Sequence, residues 1–203
     1  NPKRTLGRSK RNVSDSTVMR VISGSLKGHT LFAPKGRRLR PTEDLVKETL
    51  FNVIGSRVNQ ATFLDVFAGT GSIGIEALSR DAEWGVFIEK DPACIRVLKR
   101  NLAACSVKSR SRVYCGDANK LVNVLQKEDW CFTIVFLDPP YRQTNMLNDM
   151  LQRLASMSLV SETSLIVAEH AQTFVPPPPL SKGFFLTKSC QIGDTSLSFY
   201  QVE

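Results

Sequence analysis

The sequence lacks any long hydrophobic run, which argues against a helical membrane protein. No apolar stretch approaches the ~20 residues that a membrane-spanning helix needs. The hydrophobic segment of a signal peptide is also not recognisable in the sequence. We therefore expect a soluble cytoplasmic protein, with a plastid or mitochondrial matrix as the alternative location.

Cysteine and histidine are sparse, and their spacing does not form a recognisable metal or disulfide pattern. The five cysteines are odd in number, and none of them forms a C-x-x-C pair. This pattern argues against a disulfide scaffold or a zinc site, so we expect reduced thiols in the core and no metal. Of the two histidines, His29 has no second ligand nearby in sequence, and His170 has no neighbouring nucleophile. We expect His29 to be a strand-surface residue and His170 to be structural.

Acidic residues are scarce in the first part of the chain, which makes the charge distribution uneven. Residues 1–60 contain 13 Lys and Arg against 4 Asp and Glu, a net charge of +9, whereas residues 61–203 contain 14 against 15. Such asymmetry indicates a polyanionic partner, with a solvated basic tail as the alternative. The length suits one compact unit, which we divide into a basic extension (1–18), an N-terminal part (19–60) and an α/β domain (61–203).

Residues 63–77 are the most informative stretch, because strand-forming residues run into a glycine-rich turn and then into a helical pattern. Gly69, Gly71 and Gly74 permit a sharp turn and a close approach to a ligand. The same spacing satisfies the dinucleotide-binding pattern. Asp65 favours a different ligand, because its carboxylate would repel a pyrophosphate and attract the positively charged S-adenosylmethionine. Capping of loop amides by Asp65 is the alternative.

Two further acids follow predicted strands. Glu89 ends the apolar run 84–89 and lies twenty residues beyond Gly69, where such folds bind ribose hydroxyls. Asp117 ends a third short strand and could accept a hydrogen bond from an adenine amino group, with helix capping as the alternative. Because the carboxyl ends of parallel strands share one edge, Asp65, Glu89 and Asp117 should converge.

The second informative stretch is Asp138-Pro139-Pro140-Tyr141, which stops a buried strand over residues 131–137. The two prolines remove two backbone donors, so carbonyl oxygens remain to accept hydrogen bonds from a ligand. Asp138 and these carbonyls offer acceptors for an amino group, and Tyr141 offers an aromatic face for a base. A proline-stopped strand with an incidental acid is the alternative.

Residues 19–60 combine a predicted hairpin, a basic loop and a helix. Two short strands are expected around Gly24 and Gly28. Thr42 is a good N-cap for a helix over residues 43–54. The preceding loop contains Lys35, Arg37, Arg38 and Arg40. Attachment of this loop to an ordered helix favours phosphate contact, with a solvated turn as the alternative.

The alternation of strands and helices, ending in a hairpin at Gly193-Asp194, resembles the fold of S-adenosylmethionine-dependent methyltransferases. The resemblance implies an α/β, Rossmann-like, seven-stranded and mostly parallel sheet with an antiparallel C-terminal hairpin. More specifically, five motifs in order resemble the RsmD family of 16S ribosomal RNA guanine-N2 methyltransferases. They are residues 19–24, 39–44, 48–52, 67–74 and 138–141, and the match runs from residue 19 to the end.

The resemblance implies transfer of a methyl group from S-adenosylmethionine to guanine N2 in small-subunit ribosomal RNA or an assembling 30S-type particle, by a monomer. The catalytic residues would be Asp138, Pro139, Pro140 and Tyr141. The cofactor-binding residues would be Asp65, Phe67, Ala68, Gly69, Thr70, Gly71, Glu89, Asp117 and Ala118. The RNA-binding residues would be Arg37, Arg38, Arg40, Thr42 and Lys47. The alternatives are an adenine-N6 methyltransferase of DNA or RNA, a noncatalytic RNA-binding assembly factor, and a nicotinamide oxidoreductase.

Overall fold

The computed structural model describes residues 19–34, 42–140 and 144–202, with the backbone alone for Thr42 and Thr144. The predicted basic extension, Arg37, Arg38, Arg40, Tyr141 and the side chain of Thr42 therefore lie outside the described residues. The helices in these ranges are α1 (Thr42–Ile54), α2 (Ser72–Ser79), α3 (Pro92–Ala104), α4 (Ala118–Lys127) and α5 (Thr144–Ser156). The strands are β1 (Thr62–Asp65), β2 (Trp84–Glu89), β3 (Ser111–Cys115), β4 (Ile134–Leu137), β5 (Leu165–Ala171), β6 (Phe185–Ile192) and β7 (Thr195–Gln201).

The seven strands form one sheet in the order β3-β2-β1-β4-β5-β7-β6. Strands β1 to β5 are parallel, and β7 is antiparallel to both β5 and β6. This sheet confirms the predicted α/β, Rossmann-like fold with its antiparallel C-terminal hairpin. Strands β1 to β3 are added toward one edge of the sheet, and the chain then crosses back so that β4 lies on the other side of β1. The topological switch point is therefore between β1 and β4, and ligands in such folds bind there, outside the carboxyl ends of the strands.

Helices cover both faces of the sheet. On one face, Leu50 of α1 and Leu98 of α3 are buried in cores that also contain Phe63 and Phe87 of the sheet. On the other face, α4 and α5 pack in a separate core with alternate strand residues such as Leu64. We call these the α1–α3 face and the α4–α5 face. The described part of the chain contains no helix with the length and apolar character of a bilayer span.

Residues 19–34 do not form the predicted pair of short strands. A single antiparallel bridge between Arg20 and Thr30 is present, and the intervening residues turn against α2. Around this bridge, the Val21 amide donates to the His29 carbonyl and the Leu31 amide donates to the Met19 carbonyl. The pairing extends no further because Glu76 of α2 accepts hydrogen bonds from the next two amides, those of Ile22 and Ser23. We call this contact the α2 clamp.

Gly24 explains how closely this segment approaches α2. Its φ is +82°, and a Cβ at this position would lie 1.8 Å from the carbonyl oxygen of Ser79. The Ser79 hydroxyl group also accepts a hydrogen bond from the Leu26 amide and donates one to the Ser23 carbonyl. The segment is therefore fixed to the α1–α3 face by contacts with residues more than fifty positions away.

Local sequence signals account for the starts of the helices nearest the carboxyl edge. Asp91 caps α3 by accepting a hydrogen bond from the Ala93 amide, and Pro92 occupies the first helical position. Asp117 caps α4 by accepting from the Asn119 amide. Strand β4 begins at Ile134, later than the predicted residue 131, and ends as predicted before Asp138.

Candidate functional site

A cleft of about 550 Å³ opens at the carboxyl ends of the parallel strands. It brings together most of the described residues that the sequence predicted for the cofactor and the substrate. The predicted residues that line it are Lys47, Asp65, Phe67, Ala68, Gly69, Thr70, Glu89, Asp117, Ala118, Asp138, Pro139 and Pro140. The cleft is also lined by residues that the sequence did not indicate, among them Met19, Glu43, Lys90, Cys94, Asn119 and Glu169.

Strand register aligns four of the lining carboxylates. Asp65, Glu89, Asp138 and Glu169 each lie two residues after an apolar residue whose side chain packs on the α1–α3 face. Those residues are Phe63, Phe87, Phe136 and Val167. Because side chains alternate along a strand, the four acids continue toward the same face.

Register also separates one acid from the other three along the strand direction. Asp65 pairs with Phe87 and with Phe136, so Glu89 and Asp138 lie two residues further toward the carboxyl edge. Asp65 therefore occupies a deeper level than its neighbours. Only 2 % of its surface is exposed, whereas Glu89 and Asp138 are partly exposed.

Asp65 is a buried carboxylate with an unsatisfied oxygen. Among the described residues, Oδ2 has no hydrogen-bond partner, although the carboxylate accepts a hydrogen bond from the Gly74 backbone amide. Burial and the nearby Asp138 charge, with a further contribution from Glu89, raise the pKa of the Asp65 carboxyl to about 8. A cation placed against Oδ2 would favour the ionised form and lower that pKa, so the geometry suits a positively charged ligand.

Glu89 fixes the glycine loop. Its Oε2 atom accepts a hydrogen bond from the Gly69 amide at 2.7 Å, and its Oε1 atom accepts from the amides of Lys90 and Asp91. A carboxylate offers about four acceptor positions. Acceptor capacity therefore remains for a ligand hydroxyl group, and ribose binding by Glu89 stays a prediction.

The glycine loop itself turns sharply between β1 and α2. Gly71 has a φ of +80° and its amide donates to the carbonyl of Ala68, while the Ala68 amide donates to the Ile88 carbonyl. A Cβ on Gly71 would lie 2.3 Å from Leu98. Gly71 is not part of the cleft lining, so its contribution is the turn and the close packing against α3. Gly69 and Thr70 line the cleft.

Asn101 of α3 joins the glycine loop to the N-terminal segment. Its amide nitrogen donates to the carbonyls of Thr70, at 2.9 Å, and Phe32, and its oxygen accepts from the Phe32 amide. The side chain is completely buried. Thr70 also contacts the segment directly, because its hydroxyl group lies 3.3 Å from the sulfur of Met19. By sequence Asn101 is an ordinary polar residue of an amphipathic helix, so this link was missed.

Asp117 and Ala118 lie at the start of α4 beside the cleft. One oxygen of Asp117 is used to cap the helix, which was the alternative role in the sequence interpretation. The first backbone amides of a helix have no intrahelical acceptor, so this terminus can also contact a ligand. Adenine binding by these two residues stays a prediction.

The end of β4 places Asp138, Pro139 and Pro140 along the cleft. Pro139 is buried and Pro140 is exposed, with Asp138 partly buried between the sheet and the cleft. The two prolines leave the cleft wall without two backbone donors, so the polar groups at this end are acceptors. Such a wall is suited to an amino group that donates hydrogen bonds.

Lys47, which the sequence predicted as an RNA-binding residue, is a buried lysine. It is 2 % exposed, its Nζ donates to the Arg20 carbonyl oxygen, and it lies 3.4 Å from Asp44. Its side chain lines the cleft and links α1 to the N-terminal segment. Contact with RNA would have to occur inside the cleft.

Glu169 of β5 is the acid that sequence reasoning missed. A signal was present, because Glu169 follows an apolar strand in the same way as Asp65 does. Its neighbour His170 points to the α4–α5 face, where Nε2 hydrogen-bonds the Ser198 hydroxyl group and burial lowers the pKa of the imidazole. Within the described ranges, no group of three His, Cys, Asp or Glu side chains is arranged to hold a metal ion. The expectation that the cysteines lie in the core is wrong for Cys115 and Cys131, which are exposed, whereas Cys105 is buried.

Comparison with known proteins shows the same fold and sequence pattern elsewhere. Residues 19–201 match the family described as conserved hypothetical protein 95. The chain is 34% identical over 195 residues to ribosomal RNA small subunit methyltransferase D of Escherichia coli (strain K12), covering 96% of this chain and 95% of that protein. It is 38% identical over 183 residues to YlbH of Bacillus subtilis (strain 168), covering 90% and 98%. The solved structure of Escherichia coli yhhF has 33% identity and a TM-score of 0.79, covering 92% of this chain and 98% of that chain.

Proposed function

This chain belongs to the conserved hypothetical protein 95 family, the RsmD family, and we propose that it methylates the N2 amino group of a guanine in small-subunit ribosomal RNA. The methyl donor in this proposal is S-adenosylmethionine. The relatives support the general class, because a protein 34% identical to this chain is named ribosomal RNA small subunit methyltransferase D. The guanine N2 target and the roles of individual residues are the proposal.

The observation that carries the proposal is the unsatisfied Asp65 carboxylate beneath a proline-stopped strand end. A dinucleotide would bring its pyrophosphate to the start of α2, close to the carboxylates of Glu89 and Asp138, which repel it, and to Asp65, whose raised pKa an anion would raise further. A ligand with an ammonium and a sulfonium group is instead attracted to the same carboxylates. The residues present therefore fit the methyl donor and disfavour the nicotinamide alternative.

In this proposal, successive parts of S-adenosylmethionine contact residues at the carboxyl ends of successive strands. Asp65 and the glycine loop would hold the methionine end, Glu89 the ribose, and Asp117 with Ala118 the adenine. S-adenosylmethionine, when bound, supplies an electrophilic methyl group on its sulfonium. The residues of this chain supply orientation, and the buried cleft lowers the local dielectric so that each carboxylate acts more strongly than in water.

Asp138 and the Pro139 carbonyl would receive the target base. An exocyclic amino group donates two hydrogen bonds, and these two acceptors can take both of them. Hydrogen bonds of this kind draw the nitrogen lone pair out of conjugation with the ring, which makes it a better nucleophile. The target guanine must leave its stack to reach the cleft, as bases do in other enzymes that modify them. Tyr141, which follows Pro140, is the proposed stacking residue.

Removal of the proton from the methylated nitrogen requires only a weak base in the site. The amino nitrogen becomes acidic once it has gained a fourth bond, so a strong base is not required. The Asp138 carboxylate, already hydrogen-bonded to this nitrogen in the proposal, can accept the proton. Positioning and electrostatic stabilisation then supply most of the rate enhancement.

Transfer of labelled methyl groups tests the function directly. Purified protein is incubated with S-adenosylmethionine and small-subunit RNA, free or in particles, and the RNA is digested and analysed by mass spectrometry. We expect N2-methylguanosine at a single position. N6-methyladenosine in RNA, or methylation of duplex DNA, would support the adenine-methyltransferase alternative. RNA binding without any transfer would support a noncatalytic assembly factor.

A further inference from the structure

Helix α3 carries a concentration of positive charge inside the domain that is otherwise acidic. Residues 90–112 contain seven Lys and Arg against one Asp, a net charge of +6. The rest of residues 61–203 contains seven against fourteen, a net charge of −7. The near-neutral total for the domain therefore conceals two regions of opposite charge.

The positive side chains form one exposed face. Arg96, Lys99 and Arg100 lie at helical spacing on the outer side of α3, and Lys90 and Lys108 flank its two ends. All five are exposed. The ion pairs among the described residues involve Arg20, Lys47 and Arg80 as cations, so none of them neutralises this set. We call the five residues the α3 basic face.

Helix stability does not account for this arrangement. Basic residues stabilise a helix from its last turn, yet the last turn of α3 contains none. Arg96 and Arg100 are four residues apart, and Arg96 and Lys99 are three apart. Like-charged pairs at these spacings destabilise a helix by about 0.2–0.5 kcal/mol each. A bound polyanion would remove that repulsion.

The α3 basic face connects the cleft to the N-terminal segment. At one end, Lys90 lines the cleft. Further along, the guanidinium carbon of Arg100 lies 3.4 Å from the centre of the Phe32 ring, which places the N-terminal segment against the helix. The described segment ends at Pro34, and the next residues in the sequence are those of the basic loop at 35–40. The α3 basic face therefore begins at the cleft with Lys90 and reaches the N-terminal segment where Arg100 contacts Phe32.

We propose that the α3 basic face binds the phosphate backbone of the substrate RNA next to the nucleotide that enters the cleft. This inference rests on the proposed function, and it names a surface outside the motifs that indicated that function. Lys and Arg side chains supply phosphate contacts without sequence readout. Such contacts would orient the RNA strand, while Asp138 and its neighbours select the base.

Two matched double variants test the proposal. Arg96→Gln/Lys99→Gln removes two charges from the α3 basic face and leaves Arg100 on Phe32. Lys120→Gln/Lys127→Gln removes two exposed charges from α4, on the opposite face of the sheet. Both variants change the net charge by the same amount. Binding of S-adenosylmethionine and thermal unfolding verify that both remain folded.

Binding of a small-subunit RNA transcript is measured by fluorescence anisotropy over a series of salt concentrations. For the α3 variant we expect the slope of log K against log salt to be smaller by ~1.4, since each single-strand phosphate contact contributes ~0.7. At about 0.1 M salt this corresponds to roughly 25-fold weaker binding. The KM for RNA should rise, with kcat at saturating RNA and the KM for the methyl donor unchanged. The α4 variant should match the unmodified protein.

Equal salt slopes in the two variants would overturn the proposal. Loss of binding to phosphatidylglycerol vesicles in the α3 variant, with RNA binding intact, would assign the surface to a membrane and overturn it as well. The proposed function is tested independently, by measuring methyl transfer by the unmodified protein. If that protein binds RNA through α3 and transfers no methyl group, the proposed function fails and the RNA-binding surface stands.

Discussion

Glu76 and Asp65 are both carboxylates buried on the α1–α3 face, and they differ in how their oxygens are satisfied. Glu76 is completely buried and accepts hydrogen bonds from the amides of Ile22 and Ser23 and from Arg80, at 2.9 Å in each case. Asp65 is almost as buried, and one of its oxygens has no partner among the described residues.

The difference separates a structural carboxylate from a functional one. In the α2 clamp, Glu76 accepts two hydrogen bonds that fix the N-terminal segment and a third from Arg80 at the end of its own helix, so the energy of burial is offset within the fold. In the cleft, the energetic cost of burying Asp65 is only partly offset by the fold. A cationic ligand against Oδ2 would offset the rest. The four predictions that follow test this contrast, from the largest expected effect to the smallest.

The largest effect is expected at the α2 clamp. Glu76→Ala would leave two backbone amides and Arg80 without their acceptor, and removing one partner of a buried ion pair destabilises by about 3–5 kcal/mol. Urea unfolding measures the change. Glu76→Gln retains one acceptor oxygen and should lose less. A change below about 1 kcal/mol in the alanine variant would show that the segment is held by other contacts.

The next effect is expected on catalysis at Asp138. Asp138→Ala should lower kcat by about 10²–10³-fold, the range seen when one hydrogen-bonding group of a transition state is removed. The dissociation constant of S-adenosylmethionine, measured by calorimetry, should remain nearly unchanged. Asp138→Asn retains one acceptor oxygen and should keep more activity. Parallel loss of donor binding and transfer would indicate a structural role for Asp138.

A smaller effect is expected on donor binding at Asp65. Asp65→Asn should weaken S-adenosylmethionine binding by roughly 10–100-fold, the equivalent of one lost hydrogen bond to a charged group. Its stability at neutral pH should be equal or higher, in contrast to the Glu76 variants. Asp81→Asn is the control, because Asp81 is exposed and has a φ of +68°, which asparagine tolerates. Equal donor affinity in both variants would exclude Asp65 from the site.

The smallest effect, taken per pH unit, is the dependence of stability on pH. The pKa of Asp65 is raised from 3.8 to about 8 in the folded protein, so the folded state binds the proton that the unfolded state has released between these values. The contribution to stability is complete below pH 4 and decreases as pH rises toward 8, by at most ~1.4 kcal/mol per pH unit. The difference in unfolding free energy between the unmodified protein and Asp65→Asn should follow this course. A flat difference would show that Asp65 ionises normally.

Local signals made much of the fold predictable. Helix α3 is predictable over its observed span, because Asp91 and Pro92 mark its start and apolar residues repeat at helical spacing. Strand β2 was predicted over residues 84–89 because a buried parallel strand is apolar throughout. The glycine loop was predicted from the spacing of Gly69, Gly71 and Gly74. Each of these features is encoded within about ten neighbouring residues.

The N-terminal segment and Asn101 were not predictable in the same way. Glycines and alternating apolar residues indicated a hairpin, but the amides of Ile22, Ser23 and Leu26 find their acceptors on α2, in Glu76 and Ser79. Asn101 is an ordinary polar residue within an amphipathic helix by sequence, and its function in joining Phe32 to Thr70 exists only after both have packed against α3. Hydrogen bonds between distant segments leave no periodic pattern in the sequence.

The sequence by itself determined which strands end in acids, where the glycine loop turns, and that positive charge is concentrated in certain segments, because these properties depend on residue type and spacing. Only the tertiary structure decided which buried carboxylate is satisfied and which is not. Strand register placed Asp65 one level below Glu89 and Asp138 on the same face, and packing of the N-terminal segment supplied partners to Glu76. Burial and hydrogen bonding depend on neighbours from across the fold, and these two quantities distinguish a group that stabilises the protein from one that is available to a ligand.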